Sequence, residues 1–213
     1  MQPVTGAYLH PPQVLAQTTA LSPAQLRQLA LSITVKIISG SGKGSGMLIR
    51  KQGQVYTVLT NKHLVKRGKQ TCIQTADGRT HAAEVVTEAN LAGKDLALVQ
   101  FRSAGDYEVA RFANLSAVAI NAPVYEAGYP FDAELSEDFI LSTGKLLMVP
   151  ERSLQEGYQI GYSNNIKKGM SGGPILNSEG KVIGVNGIHA YPSGAILIDM
   201  KMALHRVRQC GRQ

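Results

Sequence analysis

The chain has 213 residues, of which 44% are hydrophobic and 17% charged, and its formal net charge is +7. This apolar content supports a packed core and excludes a mainly disordered chain. No apolar run approaches the roughly 18 residues of a membrane-spanning helix, which excludes an integral helical membrane protein. The basic residues are spread along the chain, which favours solubility over a nucleic-acid surface.

The chain begins with a segment, 1–21, that contains three prolines and no hydrophobic periodicity, so we predict a flexible N-terminal arm there. As written, it lacks the charged start and the apolar core of a signal peptide. Ser22, Pro23 and Gln25 then occupy the N-cap, N1 and N3 positions of a helix start. They predict a short amphipathic helix from Pro23 to about Leu31.

The rest of the chain alternates short apolar or β-branched runs with turn signals such as Asp77-Gly78. A dozen short strands with one helix at each end are typical of an all-β barrel or sandwich. The predicted strands are 33–38, 46–49, 55–60, 71–75, 80–86, 96–101, 123–128, 138–149, 158–162, 173–176, 181–188 and 195–198.

The segment 106–122 is the least strand-like stretch in the middle of the chain, so we predict a boundary near Asn121. The first β half then occupies 22–120 together with the N-terminal helix. The second half occupies 121–213 and ends in a helix predicted over 200–209.

Two cysteines, Cys72 and Cys210, are too few for a disulfide framework, and one bridge or two thiols are equally open. No Cys/His cluster has metal-ligand spacing, so neither a metal nor a cofactor is expected. The glycine-rich run 40–46 lacks the Ser or Thr that follows the lysine of a phosphate-binding loop. We therefore interpret that run as a hairpin linker.

The strongest chemical signal is the run 169–174, Gly-Met-Ser-Gly-Gly-Pro. Glycines beside a serine let backbone N–H groups approach a substrate carbonyl closely, so the N–H groups of Gly169 and Ser171 could form an oxyanion hole. The run also matches the nucleophile elbow of α/β-hydrolases, which needs a helix after the serine. Pro174 and the apolar residues after it predict a strand instead, which argues against an esterase or lipase of that fold.

A serine nucleophile needs a base, and the base needs an orienting acid. His63 follows a predicted strand directly, and Asp95 stands at the mouth of a strongly apolar one. An aspartate at such a place is costly unless it is hydrogen bonded. The chain order is therefore His63, Asp95, Ser171.

These residues lie in the motifs 60–63 (Thr-Asn-Lys-His), 95–98 (Asp-Leu-Ala-Leu) and 169–174, and together they resemble the trypsin/chymotrypsin-like serine proteases of the compact bacterial kind. Residues 182–186 (Val-Ile-Gly-Val-Asn) resemble the strand after the nucleophile in the HtrA-type branch. The resemblance covers about residues 31–200. It implies two packed six-stranded antiparallel β-barrels with the active site between them.

The resemblance also implies a serine endopeptidase that hydrolyses polypeptide substrates through an acyl-enzyme intermediate. Ser171 Oγ would attack the carbonyl, and His63 would take its proton and pass it to the leaving amine. Asp95 would hold the imidazole, and the N–H groups of Gly169 and Ser171 would bind the oxyanion. A catalytically silent binding module with the same fold is the alternative. Family habit favours a periplasmic or extracellular location, which the missing signal peptide weakens.

Two departures from the family pattern bear on activation and domain content. Met170 stands where trypsin-like zymogens have an aspartate that receives a new N-terminal ammonium, so we expect no such activation by cleavage before Ile33. The sequence ends soon after the predicted terminal helix, so we expect no peptide-binding (PDZ) domain of the kind that HtrA-type proteases carry.

The substrate pocket is the third departure. Asn165 stands at the expected base of the S1 pocket and is uncharged, which disfavours cleavage after Arg or Lys and favours small or medium apolar P1 residues. Lys167 and Lys168 lie beside the expected cleft and could bias it toward acidic substrates. The pocket wall is expected at Asn186, Gly187, Ile188 and His189.

Overall fold

In the computed structural model, the described residues form twelve β-strands and one α-helix, which confirms the predicted all-β class. The predicted C-terminal helix 200–209, Cys210 and nearly all of the predicted arm lie outside the described residues. Within them, no helix has the length and hydropathy needed to cross a bilayer. The described residues are 20–40, 42–65, 70–86, 91, 93–114, 119–131, 139–150, 152, 155–188 and 193–197.

Helix α1 spans Pro23–Ile33, two residues beyond the predicted end. Its start is the predicted capping box, since Ser22 Oγ accepts from Gln25 N and Gln25 Oε1 accepts from Ser22 N. These bonds satisfy backbone donors that a helix N-terminus otherwise leaves open. One face of the helix is buried, and its residues there are Leu26, Ala30 and Ile33.

The first six strands form a closed antiparallel barrel. They are β1 (Thr34–Ser39), β2 (Gly42–Gln52), β3 (Val55–Thr60), β4 (Thr71–Gln74), β5 (Thr80–Val85) and β6 (Ala97–Arg102). Their order is β1-β2-β3-β6-β5-β4, and β4 pairs with β1 to close the ring. This arrangement makes β3 and β6 neighbours although 36 residues separate the end of β3 from the start of β6.

The last six strands form the second ring. They are β7 (Pro123–Gly128), β8 (Ile140–Met148), β9 (Ile160–Tyr162), β10 (Pro174–Leu176), β11 (Val182–Ile188) and β12 (Ser193–Leu197). Their order is β10-β11-β12-β9-β8-β7, with a closing seam at the pairs Ile175–Glu126 and Leu176–Tyr125.

The observed strand ends lie within two residues of the predicted ends everywhere except in β2, which begins at Gly42. The expected hairpin linker 40–46 is therefore wrong over most of its length. The reason lies in packing, since a Cβ on Gly46 would come within 2.7 Å of Val58 Cγ1 and 2.8 Å of Ile37 Cδ1. This glycine admits neighbouring side chains into the barrel and does not mark a turn.

The described residues form three apolar cores. One fills each barrel, and the third lies between the barrels and includes residues of α1. Burial of this kind contributes about 25 cal/mol per Å² of apolar surface, so the third core joins the two halves firmly. Representative residues of this third core are Ala30, Ile33, Met47, Leu59, Leu98, Ala127, Tyr129, Leu176 and Val185.

Candidate active site

His63 and Asp95 meet because β3 and β6 are adjacent antiparallel strands. Thr60 at the end of β3 pairs with Ala97 at the start of β6. His63 sits in a short 3₁₀ helix just after β3, and Asp95 stands just before β6. His63 Nδ1 lies 2.6 Å from Asp95 Oδ2, and the backbone N–H of His63 donates to Asp95 Oδ1 at 2.9 Å. The structure therefore brings together two of the three predicted catalytic residues.

The Asp95 carboxylate is 6% exposed and has a further donor that the sequence did not indicate. Tyr158 Oη donates to Asp95 Oδ2 at 2.8 Å, and Asn61 Nδ2 donates to the Asp95 carbonyl at 2.8 Å. A Cβ on Gly187 would overlap the Tyr158 hydroxyl, so a glycine at that place makes room for this contact. The acid is thus held in one orientation by donors from both barrels.

The pKa values of the pair follow from these contacts. Burial raises the pKa of Asp95, but the hydrogen bonds from His63 and Tyr158 outweigh it and bring that pKa below its ordinary value. The hydrogen bond to Asp95 raises the pKa of His63 above its ordinary 6.5, against the opposing effect of burial. Burial and the Asp95 hydrogen bond raise the pKa of Tyr158, so its hydroxyl remains a donor. An anionic acid beside a titratable imidazole is the pairing that general-base catalysis requires.

Ser171 follows a tight turn over 167–170. Met170 N donates to Lys167 O at 3.2 Å, and Gly169 has φ of +95° at the third position of the turn. A positive φ at that position defines a type II turn and favours glycine. The glycine at 169 is therefore explained by backbone conformation.

The peptide between Lys168 and Gly169 is held from one side. Phe131 N donates to Lys168 O at 2.6 Å. In a trans peptide the carbonyl and the next N–H point in opposite directions. The Gly169 N–H is therefore directed away from Phe131.

The Ser171 segment lies against the first barrel next to the end of β3. Ser45 N on β2 donates to Ser171 O at 2.8 Å. A Cβ on Gly172 would overlap Ser45 O and Thr60 Oγ1, so the loop backbone approaches both strands closely. Among the described residues, however, no hydrogen bond joins Ser171 to His63.

An open cleft of about 460 Å³ lies beside the histidine and the aspartate. It carries two lysines and one glutamate in addition to the His63–Asp95 pair, so its charge is mixed. Its lining residues are Lys62, His63, Val65, Gly93, Lys94, Asp95 and Glu156.

The predicted substrate-pocket residues lie in different surroundings. Asn165 is exposed on the segment between β9 and β10, and Gly187 packs against Tyr158. Ile188 is the last residue of β11, and His189 lies outside the described residues.

Asn186 is fully buried within a polar network that the sequence did not indicate. Its Nδ2 donates to Glu126 Oε1 at 3.0 Å, and its Oδ1 accepts from Tyr162 Oη at 2.6 Å. Burial raises the pKa of Glu126 well above its ordinary value. The network lies next to the Ser171 loop, because Asn186 O accepts from Gly172 N at 2.8 Å.

Comparison with known proteins agrees with this architecture. The family model described as trypsin-like peptidase domain matches residues 44–185. The chain is 28% identical over 154 residues to the serine protease Do-like HtrA of Bacillus subtilis (strain 168), covering 68% of this chain and 33% of that protein. It is 29% identical over 181 residues to the putative serine protease HhoA of Synechocystis sp. (strain ATCC 27184 / PCC 6803 / Kazusa), covering 80% of this chain and 44% of that protein.

The fold is shared with solved structures. The crystal structure of Deg5 matches with a TM-score of 0.68 and 22% identity, over 82% of this chain and 87% of that one. The crystal structure of the serine endoprotease from Yersinia pestis matches with a TM-score of 0.67 and 23% identity, over 84% of this chain and 63% of that one. The chain spans less than half the length of the two curated relatives above. Since the family model covers well over half of the chain, the protein belongs to the trypsin-like peptidase domain family.

Proposed function

We propose that this protein is a serine endopeptidase that cleaves polypeptides with His63, Asp95 and Ser171. The observation that carries the proposal is the 2.6 Å contact between His63 Nδ1 and the buried Asp95 carboxylate. With Nδ1 facing the acid, Nε2 is the nitrogen left to accept a proton from a nucleophile. Family membership and the glycine-flanked Ser171 supply the rest of the argument.

In the proposed reaction, Ser171 Oγ attacks the peptide carbonyl while His63 Nε2 takes the hydroxyl proton. His63 then gives this proton to the leaving amine, and the acyl group remains on Ser171 until water removes it by the same steps. Asp95 stays ionised throughout, because its contacts hold its pKa low. It stabilises the imidazolium that forms in each half-reaction.

The oxyanion would be bound by the N–H groups of Gly169 and Ser171. The type II turn gives Gly169 a conformation that aims its N–H away from Phe131. Backbone donors fixed in this way need no reorganisation when charge develops on the substrate oxygen.

For specificity, we propose an S1 pocket near Asn165, Gly187, Ile188 and His189 that takes small or medium apolar residues. Asn186 fits a wall role less well, because its side chain is fully buried and hydrogen bonded within the second barrel. We propose that Asn186 supports the pocket from behind. The mixed charge of the cleft near His63 gives no strong preference for an acidic or a basic substrate.

A catalytically silent binding module is the second candidate. The observation in its favour is that no hydrogen bond joins Ser171 to His63 within the described residues. Catalytic hydrogen bonds are often long without substrate and shorten when it binds, which is compatible with the proposed triad.

Labelling with a fluorophosphonate probe tests the proposal. Only a serine with an activated hydroxyl reacts, so the wild type should be labelled and Ser171→Ala should not. Ser163→Ala, at an exposed serine of the second barrel, is the matched control and should be labelled like the wild type. A folded wild type that resists the probe would favour the binding module.

A further inference from the structure

Ser45 on β2 makes three hydrogen bonds to the second barrel and is fully buried. Its N–H donates to Ser171 O at 2.8 Å, and its Oγ donates to Gly169 O at 2.8 Å. Its Oγ also accepts from Tyr129 N at 2.8 Å. One residue of the first barrel thus contacts both ends of the segment 169–171.

The Tyr129 contact fixes the direction of the Ser45 proton. A serine hydroxyl has one proton to donate, and the N–H of Tyr129 occupies an acceptor position on the same oxygen. The proton is therefore directed to Gly169 O, and the orientation of the peptide that links Gly169 to Met170 is fixed by it. Loss of the Ser45 hydroxyl would leave the Tyr129 N–H and the Gly169 carbonyl without this partner.

The backbone of Ser45 is itself held from the other side. Thr60 Oγ1 donates to Ser45 O at 2.7 Å, and both atoms lie against Gly172. Thr60 is the last residue of β3, three residues before His63. The same contacts therefore set the Ser171 segment relative to the strand that leads to the histidine.

We propose that Ser45 is a positioning residue that holds the segment 169–171 in the geometry of an oxyanion hole. The inference rests on the proposed peptidase function and extends it to a residue outside the expected catalytic set. Ser45 touches neither substrate nor reacting atom; it acts through the backbones of Gly169 and Ser171.

The test compares Ser45→Ala with Ser39→Ala. Both substitutions remove one hydroxyl from a fully buried serine of the first barrel, and the Ser39 hydroxyl pairs with that of Thr71. Hydrolysis of a chromogenic peptide ester should lose about tenfold or more in kcat in Ser45→Ala, with KM little changed, because a displaced oxyanion hole affects the transition state most. Ser39→Ala should keep its kcat at temperatures well below its unfolding midpoint. The inference is overturned if kcat of Ser45→Ala stays within about twofold of the wild type.

Hydrogen exchange separates this inference from the proposed function. Amides of residues 167–173 should exchange faster in Ser45→Ala than in Ser39→Ala, whether or not the wild type hydrolyses peptides. An inactive wild type with this faster exchange would overturn the peptidase function and support Ser45 as the residue that holds the loop. Unchanged exchange over 167–173 would overturn the role of Ser45.

Discussion

At the scale of single residues, Asp95 shows what a sequence indicates and what it leaves out. Its place before an apolar strand predicted a hydrogen-bonded carboxylate, and His63 is its partner. Tyr158 could not be predicted as a donor, because it lies 63 residues further along the chain in the other barrel. A signal existed in Gly187, whose missing side chain makes room for the hydroxyl.

Tyr158→Phe removes this donor while keeping the ring. We expect kcat/KM to fall about tenfold or more, since a hydrogen bond to a charged group contributes roughly 1.5–3 kcal/mol. Without Tyr158, more of the negative charge on Asp95 Oδ2 faces His63, so the acid limb of the pH–rate profile should move to higher pH. Stopped assays from pH 5 to pH 9 measure both effects.

Tyr107→Phe is the matched control, because Tyr107 Oη donates to Asp77 in the first barrel at 3.1 Å. It should leave the profile unchanged. A Tyr158→Phe enzyme with wild-type rate and profile would show that the hydroxyl only supports packing.

The activity of the wild type should depend on pH through the protonation of His63. His63 must be neutral to accept a proton, and its pKa is raised above 6.5. Activity should therefore be lost as pH falls through a midpoint above 6.5, while Asp95 stays ionised. Asp95→Asn removes the carboxylate that raises the pKa of His63, so the acid limb of the pH–rate profile should move to lower pH. The kcat should also fall on the order of 10⁴-fold. A flat profile between about pH 5 and pH 8 would exclude His63 as the base.

At the scale of elements, the strands were predictable because alternating apolar residues and turn signals mark them locally. His63 and Asp95 meet because β3 pairs with β6, a pairing that no local pattern in the sequence indicates. The predicted linker at the glycine-rich start of β2 is wrong, because glycine is favoured both by close packing and by turns. Asn186 in β11 shows the same limit, since its burial depends on Glu126 and Tyr162 from other strands.

The network of Glu126 on β7 predicts a pH-dependent stability. The folded-state pKa of this carboxyl lies above its ordinary 4.5, so its contribution to stability is complete below that pH and declines as pH rises toward the folded pKa. Glu126→Gln keeps the oxygen that accepts from Asn186 and cannot ionise. It should raise the unfolding midpoint at pH 8 by a few degrees, since about 1 kcal/mol shifts it by roughly 2–4 °C at this chain length.

Thermal unfolding followed by circular dichroism from pH 5 to pH 8 measures the effect. Glu84→Gln, at an exposed position on β5, is the control and should follow the wild-type curve. Parallel curves for the wild type and Glu126→Gln across this range would mean that Glu126 ionises as an ordinary carboxyl.

At the scale of the whole molecule, the third core joins helix α1 to both barrels. It draws on residues from α1, β2, β3, β6, β7, β10 and β11, which no local pattern in the sequence links. Hydrophobic periodicity predicts that one face of α1 is buried. It does not indicate that two barrels cover that face. Only the assembled fold shows that Ala30 and Ile33 pack into the core where the halves meet.

This packing sharpens the expectation that no new N-terminus activates the protein. Met170 is fully buried in the core of the second barrel and offers no carboxylate to an ammonium group. Ile33 ends a helix and is itself fully buried, so cleavage before it would remove the part of α1 that carries Leu26 and Ala30. Burial of one leucine side chain alone contributes about 1.5–3 kcal/mol. A chain that starts at Ile33 should therefore be less stable and no more active than one that starts at Ala20.

The comparison needs two readouts, because a destabilised chain can lose activity for trivial reasons. The unfolding midpoint should fall clearly in the chain that starts at Ile33, and its kcat/KM at low temperature should not exceed that of the longer chain. Leu26→Ala in the longer chain should reproduce part of the destabilisation, about 2–5 kcal/mol, while Gln28→Ala on the exposed face should not. A sharp rise in kcat/KM on shortening would contradict the expectation and would mean that an N-terminal ammonium finds an acceptor other than residue 170.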